Sequence, residues 1–387
     1  MSIFKKKQYL CPRCYQKIPF DNVAFVCGNN ISGCKNDEKT KYFTVSDKSS
    51  NVIKKENGMP ISAKCPKCKK VSTLRVCPEC KKYLPQNIQN CEVFLISIVG
   101  AKGSGKSFFV NVLLHSLQSG LLANTGMSAR PYDNDSIKRM KIITEHIREQ
   151  DRLEATNKAT SVNDNDAILF NFQKSNKEFI SSFIDTAGEN FDDPEVLNSY
   201  LPYLSNSNAI IFIVDPTQIE TLRKRLTEAD IKSASSLDDK DYTHVDPSKN
   251  FTNILCETLD AMRHQKKLFT SKNKLKIPVA VAFSKVDILR PLFNNNDITL
   301  FKQSPSIVSG KFDNNDRLIV HSEIMSLLES YGEQNFINTL NNNLANYSLF
   351  GFSAIGHNNI GLKLNDGVAP HRIADPLLWI LHKNGMV

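Results

Sequence analysis

The chain has 387 residues, 41% of them hydrophobic, and a formal net charge of +9. That apolar content excludes a disordered tail and, at roughly 100 to 200 residues per domain, predicts two or three domains. No run approaches the ~18 consecutive apolar residues of a membrane helix, and Lys5, Lys6 and Lys7 stand where a secretory signal would build its apolar stretch, so a cytoplasmic protein without membrane contact is expected.

The charge is unevenly placed. Residues 1–91 hold 18 Lys+Arg against 6 Asp+Glu, a net +12, and residues 92–387 hold 31 against 34, a net −3. Eight of the ten cysteines also precede residue 81, in paired spacings. Cys11-Pro12-Arg13-Cys14 with Cys27 and Cys34 reads C-x₂-C-x₁₂-C-x₆-C, and Cys65-Pro66-Lys67-Cys68 with Cys77-Pro78-Glu79-Cys80 reads C-x₂-C-x₈-C-x₂-C. Each set offers four thiolates for a tetrahedral Zn²⁺, and an iron–sulfur cluster or redox pair is the alternative. The expectation is two zinc ions, one in a module over residues 1–45 and one in a short ribbon over residues 60–88. If both are filled, each four-thiolate site nets −2 and lowers +12 to +8. Lysines such as Lys64, Lys67, Lys69, Lys70, Lys81 and Lys82, with Tyr9, Tyr15 and Tyr83, would then suit RNA, DNA or an acidic protein partner, or simply solvate the surface. Cys91 and Cys256 are left over and read as small buried residues.

A boundary near Asn87–Cys91 separates this region from an α/β pattern. Val93–Val99 reads as a buried strand, Gly100–Gly105 as a glycine-rich loop, and Lys106–Gln118 as a helix closed by Gly120. There follow a helix near Ser136–Arg152, strands Ala167–Phe172 and Glu178–Ile184, a helix after Pro194, strand Ala209–Val214, a helix Phe251–Gln265, strand Ile277–Phe283, a helix Asp316–Ser330 and strand Tyr347–Ser353. The alternation predicts a mostly parallel sheet wrapped by helices, with a hairpin at Ser175–Lys177 making one edge antiparallel. Residues 229–250 and 293–310 read as insertions or mobile loops. Asp375 as cap and Pro376 as first residue open a closing helix that ends at Gly385.

Gly100-Ala101-Lys102-Gly103-Ser104-Gly105-Lys106-Ser107 matches G-x-x-x-x-G-K-S between a strand and a helix, the context this motif requires. Backbone N–H groups of such a loop curl around phosphates, Lys106 reaches the β/γ-phosphates and the Ser107 hydroxyl ligates Mg²⁺. Asp185-Thr186-Ala187-Gly188-Glu189 ends another apolar strand, placing Asp185 to hold Mg²⁺ through water and the Gly188 N–H to meet a γ-phosphate. Ser284-Lys285-Val286-Asp287 ends a third, where the Asp287 carboxylate can accept two hydrogen bonds from guanine and the Lys285 stem can cover the base. Ser353-Ala354-Ile355 ends a fourth, where the Ala354 N–H can donate to guanine O6, although the triplet alone is an ordinary strand end.

GKS, DTAGE, SKVD and SAI in that order resemble the motifs of the translation-factor-related, Ras-like P-loop GTPases over about residues 92–385. The resemblance implies a Ras-like sheet, Mg²⁺-dependent binding of GTP and GDP, and switch loops that respond to the γ-phosphate. The added helix before the first switch and the closing D-P-L-L-W-I-L helix are similar to the double-GTPase-type families of bacterial conflict or defence systems. Two departures stand out. Ser284 replaces the usual Asn, and Glu189 replaces the glutamine that orients the attacking water. The first-switch, Mg²⁺-binding threonine is Thr160 or, second, Thr156. Arg130, Arg139, Arg148 and Arg152 precede that switch as cis arginine candidates. The implied function is a slow GTP-hydrolysing switch with catalytic Lys106, Thr160 and Glu189. The alternatives are a GTP-sensing scaffold with negligible turnover, or a nucleic-acid-binding protein regulated by nucleotide.

Overall fold

The computed structural model describes residues 7–27, 42–45, 51–148, 167–185, 201, 203–228, 250–293, 297–356 and 368–387. The chain divides into two compact units, Met1–Phe94 with Glu178–Ser182, and Leu95–Lys177 with Phe183–Val387.

The first unit is built from very short strands. β1 (Gln8–Leu10) pairs antiparallel with β2 (Lys17–Pro19). β3 (Ala24–Val26) lies between β4 (Tyr42–Thr44) and β8 (Arg75–Val76), and β6 (Met59–Lys64) lies between β5 (Val52–Glu56) and β7 (Val71–Ser72). Strands this short bury little area, and their common core unites Tyr9, Ile18, Val23, Phe25 and Met59 with the cysteines Cys11, Cys27, Cys65 and Cys77. A single core therefore spans the stretches expected to form separate modules at 1–45 and 60–88.

The second unit carries the sheet that the alternating pattern predicts. β9 (Glu92–Gly100), β10 (Met127–Pro131), β11 (Ile168–Lys174), β12 (Lys177–Asp185), β13 (Ala209–Val214), β14 (Val279–Phe283) and β15 (Tyr347–Gly351) are ordered β10-β11-β12-β9-β13-β14-β15. β9, β13, β14 and β15 run parallel, and β13 and β14 are buried at every position, as expected of strands covered on both faces. The turn at Ser175, with φ 52°, joins β11 to β12, but this hairpin is not the edge. Beyond it lies β10, antiparallel to β11, which the sequence reading missed because Met-Ser-Ala-Arg-Pro has no apolar alternation. Pro131 closes this edge strand, where a missing N–H costs no ladder bond.

The helices are α1 (Lys106–Gln118), α2 (Asn134–Arg148), α3 (Glu220–Glu228), α4 (Phe251–Met262), α5 (Pro305–Ser309), α6 (Asn314–Ser330), α7 (Gln334–Asn343) and α8 (Asp375–Lys383). Among the described residues, no helix is long and apolar enough to cross a membrane. Ala374 occupies the cap position of α8, and Asp375 instead pairs with Arg372 at 2.9 Å. Residues Asp375–Leu381 are all buried. The stretch 297–310 is built into the fold rather than forming a loose loop. Leu300 is 1% exposed, the Glu323 carboxylate accepts from the Thr299 and Leu300 N–H groups at 2.8 Å each, and a Cβ on Gly351 would lie 2.3 Å from Leu300 Cδ1. The remainder of 229–250 and the helix expected after Pro194 fall largely outside the described residues.

Candidate nucleotide and metal sites

The register of the parallel strands assembles the nucleotide candidates at one edge. Gly100 pairs with Ile213, Val214 with Phe283, and Phe283 with Gly351. The residues that follow, Ala101, Asp215, Ser284 and Phe352, therefore emerge side by side at the carboxyl ends of the sheet, where open α/β folds bind ligands. Gly100 is dictated by this closeness: a Cβ there would sit 2.4 Å from the Ile213 carbonyl oxygen. Gly103 and Gly105 adopt φ of 73° and 88°, conformations that glycine takes without strain, and α1 starts directly after Gly105. Lys106 is buried and its Nζ donates to the carbonyls of Gly100 at 2.9 Å and Ala101 at 2.7 Å. Ser104 is fully buried, and its hydroxyl oxygen has no hydrogen-bond partner. Lys102 lies exposed on the loop, and Ser107 is the second residue of α1.

The candidate base loop, Ser284–Asp287, emerges at the same edge of the sheet. Ser284 is buried, donates its hydroxyl to the Val214 carbonyl at 3.3 Å, and faces Gly105, where an added Cβ would lie 3.8 Å from it. Lys285 takes φ 53°, an uncommon backbone for a non-glycine residue, and its Nζ meets Asp215 Oδ2 at 2.6 Å. The Val286 N–H then donates to the Phe352 carbonyl at 3.2 Å, which ties this loop to the end of β15. Asp287 Oδ1 is buried with no hydrogen-bond partner, an acceptor that the protein itself leaves unsatisfied. Beside it, Ser353 exchanges backbone hydrogen bonds with His371, and its hydroxyl accepts from the Gly356 N–H at 2.9 Å, fixing the turn that contains Ala354. Asp185 ends β12; Thr156, Thr160, Gly188 and Glu189 lie outside the described residues, as does Arg152. Arg130 is exposed on β10 and Arg139 lies on α2. Asp215 and Gln218 were missed in the sequence, where the only signal was Asp-Pro-Thr following a wholly apolar strand, the pattern of a capped turn.

The cysteines gather differently from the expected sets. The sulfurs of Cys11, Cys14, Cys77 and Cys80 lie within 4.8 Å of one another, and those of Cys27, Cys65 and Cys68 form a second group; Cys34 is outside the described residues. Within these groups Cys14 Sγ is 3.6 Å from Cys77 Sγ, and Cys27 Sγ is 3.5 Å from Cys68 Sγ. The arrangement is nested: the first and last knuckles close one site around another formed by the middle cysteines. Strand pairing causes the regrouping. β8 lies antiparallel to β3, and Val26, the residue before Cys27, donates its N–H to the Leu74 carbonyl at 2.9 Å. Cys27 is thereby brought beside the Cys65–Cys68 knuckle, and Cys77, directly after β8, is freed to face Cys14. All three Cys-Pro-x-Cys knuckles share one geometry, with Tyr15, Lys69 and Lys81 at φ of 59°, 61° and 59° donating their N–H groups to Cys11, Cys65 and Cys77 carbonyls.

Four thiols in contact cannot all ionise without a cation. Cys11 is pushed well above the ordinary thiol value, first by the hydrogen bonds it shares with Cys14, Cys77 and Cys80, whereas Cys77 is pulled far below it by its hydrogen bonds with Cys11, Cys14 and Cys80. An all-cysteine donor set of this spacing is suited to a soft or borderline divalent ion. Cys91 and Cys256 stand apart, each half-buried rather than core. Burial pushes Cys91 up to about 12.

Comparison with known proteins identifies the family. The chain is 22% identical over 353 residues, 85% of its length and 84% of the relative's, to SaeC of Mycolicibacterium smegmatis, a protein named for a proposed role in ESX-1 scaffolding and assembly. Among solved structures, the Arl6 BBS3 small GTPase of Trypanosoma brucei with bound GppNp aligns at 10% identity and a TM-score of 0.27, over 76% of this chain and 98% of that one. The signal recognition particle receptor SRb-GTP/SRX complex of Chaetomium thermophilum aligns at 13% identity and 0.29, over 70% and 94%. At such scores these overlaps carry no weight beside the match of residues 97–318, more than half of the chain, to the family Double-GTPase 1. By that match the chain belongs to the Double-GTPase 1 family and is a P-loop GTPase of the double-GTPase type.

Proposed function

We propose that this chain is a Mg²⁺-dependent guanine-nucleotide switch that hydrolyses GTP slowly by itself and uses its cysteine-rich N-terminal unit as a zinc-held docking module for another protein. The observation that carries the reading is Asp287 Oδ1, a buried acceptor without a partner at the carboxyl edge of the sheet. A buried carboxylate oxygen is costly to leave unpaired, and guanine N1–H and its exocyclic amine supply the two donors that adenine lacks. The Lys285 stem would cover the base plane, and the Ala354 N–H would meet O6. Phosphates would lie against the N–H groups of Gly103–Ser107, with Lys106 exchanging its bonds to Gly100 and Ala101 for phosphate oxygens. Ser107, Asp185 and Thr160 are the residues proposed to hold Mg²⁺, which neutralises developing phosphate charge, and Gly188 and Glu189 those proposed to sense the γ-phosphate and orient water.

Zn²⁺ would be held by Cys11, Cys14, Cys77 and Cys80 and, in the second site, by Cys27, Cys65 and Cys68 with Cys34. With every position filled, such sites organise a surface and do no chemistry. A scaffold reading, in which nucleotide state rather than turnover is what matters, is favoured by the likeness to SaeC. A cytoplasmic location and a role in a bacterial conflict system remain part of the proposal. RNA or DNA binding by the basic unit has no support beyond its charge.

Asp287→Asn tests the reading. The substitution turns one acceptor into a donor, and preference should move from GTP to xanthosine triphosphate, whose C2 oxygen takes that donor. Retained GTP preference in the variant would refute the assignment of Asp287 to the base.

A further inference from the structure

Between the phosphate loop and the base loop lies a four-residue turn, Asp215–Gln218, that belongs to none of the nucleotide-binding motifs. Asp215 follows β13 with its side chain 1% exposed, and its two oxygens are divided between two tasks. Oδ1 accepts from the Thr217 N–H at 2.9 Å and the Thr217 hydroxyl at 2.7 Å, capping the turn. Oδ2 meets Lys285 Nζ at 2.6 Å. At the far end of the turn, Gln218 Nε2 donates to the Lys102 carbonyl at 3.1 Å, and its Oε1 is buried without a partner.

We propose that Asp215 and Gln218 are positioning residues of the nucleotide site: Asp215 fixes the Lys285 stem along the base plane, and Gln218 fixes the phosphate loop at Lys102. The inference rests on the guanine-nucleotide reading above. Lysine carries one of the largest side-chain entropies, so a lysine that must lie flat on a base loses affinity unless it is ordered beforehand. A carboxylate already desolvated and aligned by two other hydrogen bonds does that ordering, whereas an exposed partner would be screened and loosely held. Lys285 itself takes a left-handed backbone, φ 53°, and its Nζ reaches Asp215. One short turn thereby braces both halves of the site.

Asp215→Asn separates the two tasks of the carboxylate. The amide oxygen can still cap Thr217, but the amide nitrogen cannot accept from the Lys285 ammonium. In the full-length protein, titrated with GDP and ADP, Asp215→Asn should weaken GDP about tenfold through faster dissociation while the melting temperature changes little. Lys285→Ala should lose a similar factor, and the double variant no more than either single one. Unchanged GDP dissociation in Asp215→Asn, or losses that multiply in the double variant, would overturn the role given to Asp215, since a merely structural ion pair would act on stability instead. Gln218→Ala, at a half-buried position, provides the second arm if Asp215→Asn fails to fold. It should speed GDP dissociation by the same factor with or without Lys285→Ala, and an unaltered rate would overturn the role given to Gln218. If the wild type binds no GDP, the guanine-nucleotide reading itself falls, and this inference falls with it.

Discussion

Gly105 faces Ser284 with room to spare: a Cβ added to Gly105 would only just come into ordinary contact, 3.8 Å from both Cβ and Oγ of Ser284. Ser284 stands where related GTPases carry Asn, and its shorter side chain spends its hydroxyl on the Val214 carbonyl at 3.3 Å. That hydroxyl is therefore given to the end of β13 and not to the phosphate loop. On the proposed reading, nucleotide affinity is expected to depend more heavily on groups elsewhere in the loops, Lys106 first among them.

Lys106→Ala removes a buried ammonium that now bonds two loop carbonyls. Nucleotide affinity should fall at least a hundredfold, while the protein stays folded and keeps its metal. Isothermal titration beside elemental analysis checks both halves, and affinity within a few-fold of the wild type would show that the phosphate site is misplaced.

Intrinsic turnover should be slow. Phosphoryl transfer needs oriented water and charge neutralisation, and on the proposed reading Glu189 stands in place of the water-orienting glutamine. A rate on the order of 10⁻⁴ to 10⁻² s⁻¹ is expected, the interval between a GTPase without an arginine finger and one with it in cis. Single-turnover hydrolysis measures this rate directly. Several turnovers per second, independent of protein concentration, would mean that a complete catalytic group is present in the chain.

The nested thiol arrangement changes what loss of one site does. Two independent modules would unfold one at a time, but Cys11 and Cys14 share their site with Cys77 and Cys80, and all lie in or against a single core. Structural zinc contributes on the order of 10 kcal/mol in small domains, far more than strands of two or three residues supply. Cys77→Ser with Cys80→Ser should therefore release the β1–β2 hairpin as well as its own knuckle. Elemental analysis of the wild type should give two zinc ions per chain, one per cysteine group, and limited proteolysis of the variant should cut near residue 17. A β1–β2 region still protected and metal-loaded in the variant would contradict the nesting.

Asp375 provides a pH dependence with a definite sign. Burial, working against the attraction of Arg372 and helped by nearby Asp316, pushes its carboxyl up to about 6 from an ordinary 3.8. The folded protein then holds a proton that the unfolded chain releases between those values. The stability it adds is complete below about pH 4 and is lost as pH rises through 6. The melting temperature of the wild type relative to Asp375→Asn should fall from pH 4 to pH 7 and level off above. A difference that is constant, or that grows with pH, would contradict the assignment.

The parts of this molecule legible in the sequence are those where chemistry is local. Ala209–Val214 is a strand because six consecutive apolar residues fill a site covered on both faces, and its bounds coincide with those read from the pattern. The helix Lys106–Gln118 was equally plain, opened by Gly105 and stopped at Gly120. What escaped was set by distance along the chain. Nothing near Cys14 says that its neighbour is Cys77, 63 residues later, because that contact depends on β3 pairing with β8. The edge strand Met127–Pro131 and the Asn-rich helix Gln334–Asn343 were missed because their apolar positions are few and their partners remote. Asp215 escaped for the same reason, since Lys285 lies 70 residues away in the chain.

Asp287, its buried Oδ1 without a partner, is proposed to make this phosphate loop a guanine site. Calorimetric titration of the full-length wild-type protein with GDP and, separately, with ADP in Mg²⁺ tests it most directly. Saturable binding of GDP with one site per chain and at least a hundredfold weaker binding of ADP are expected; equal affinity for the two nucleotides would refute the assignment of Asp287 to the base.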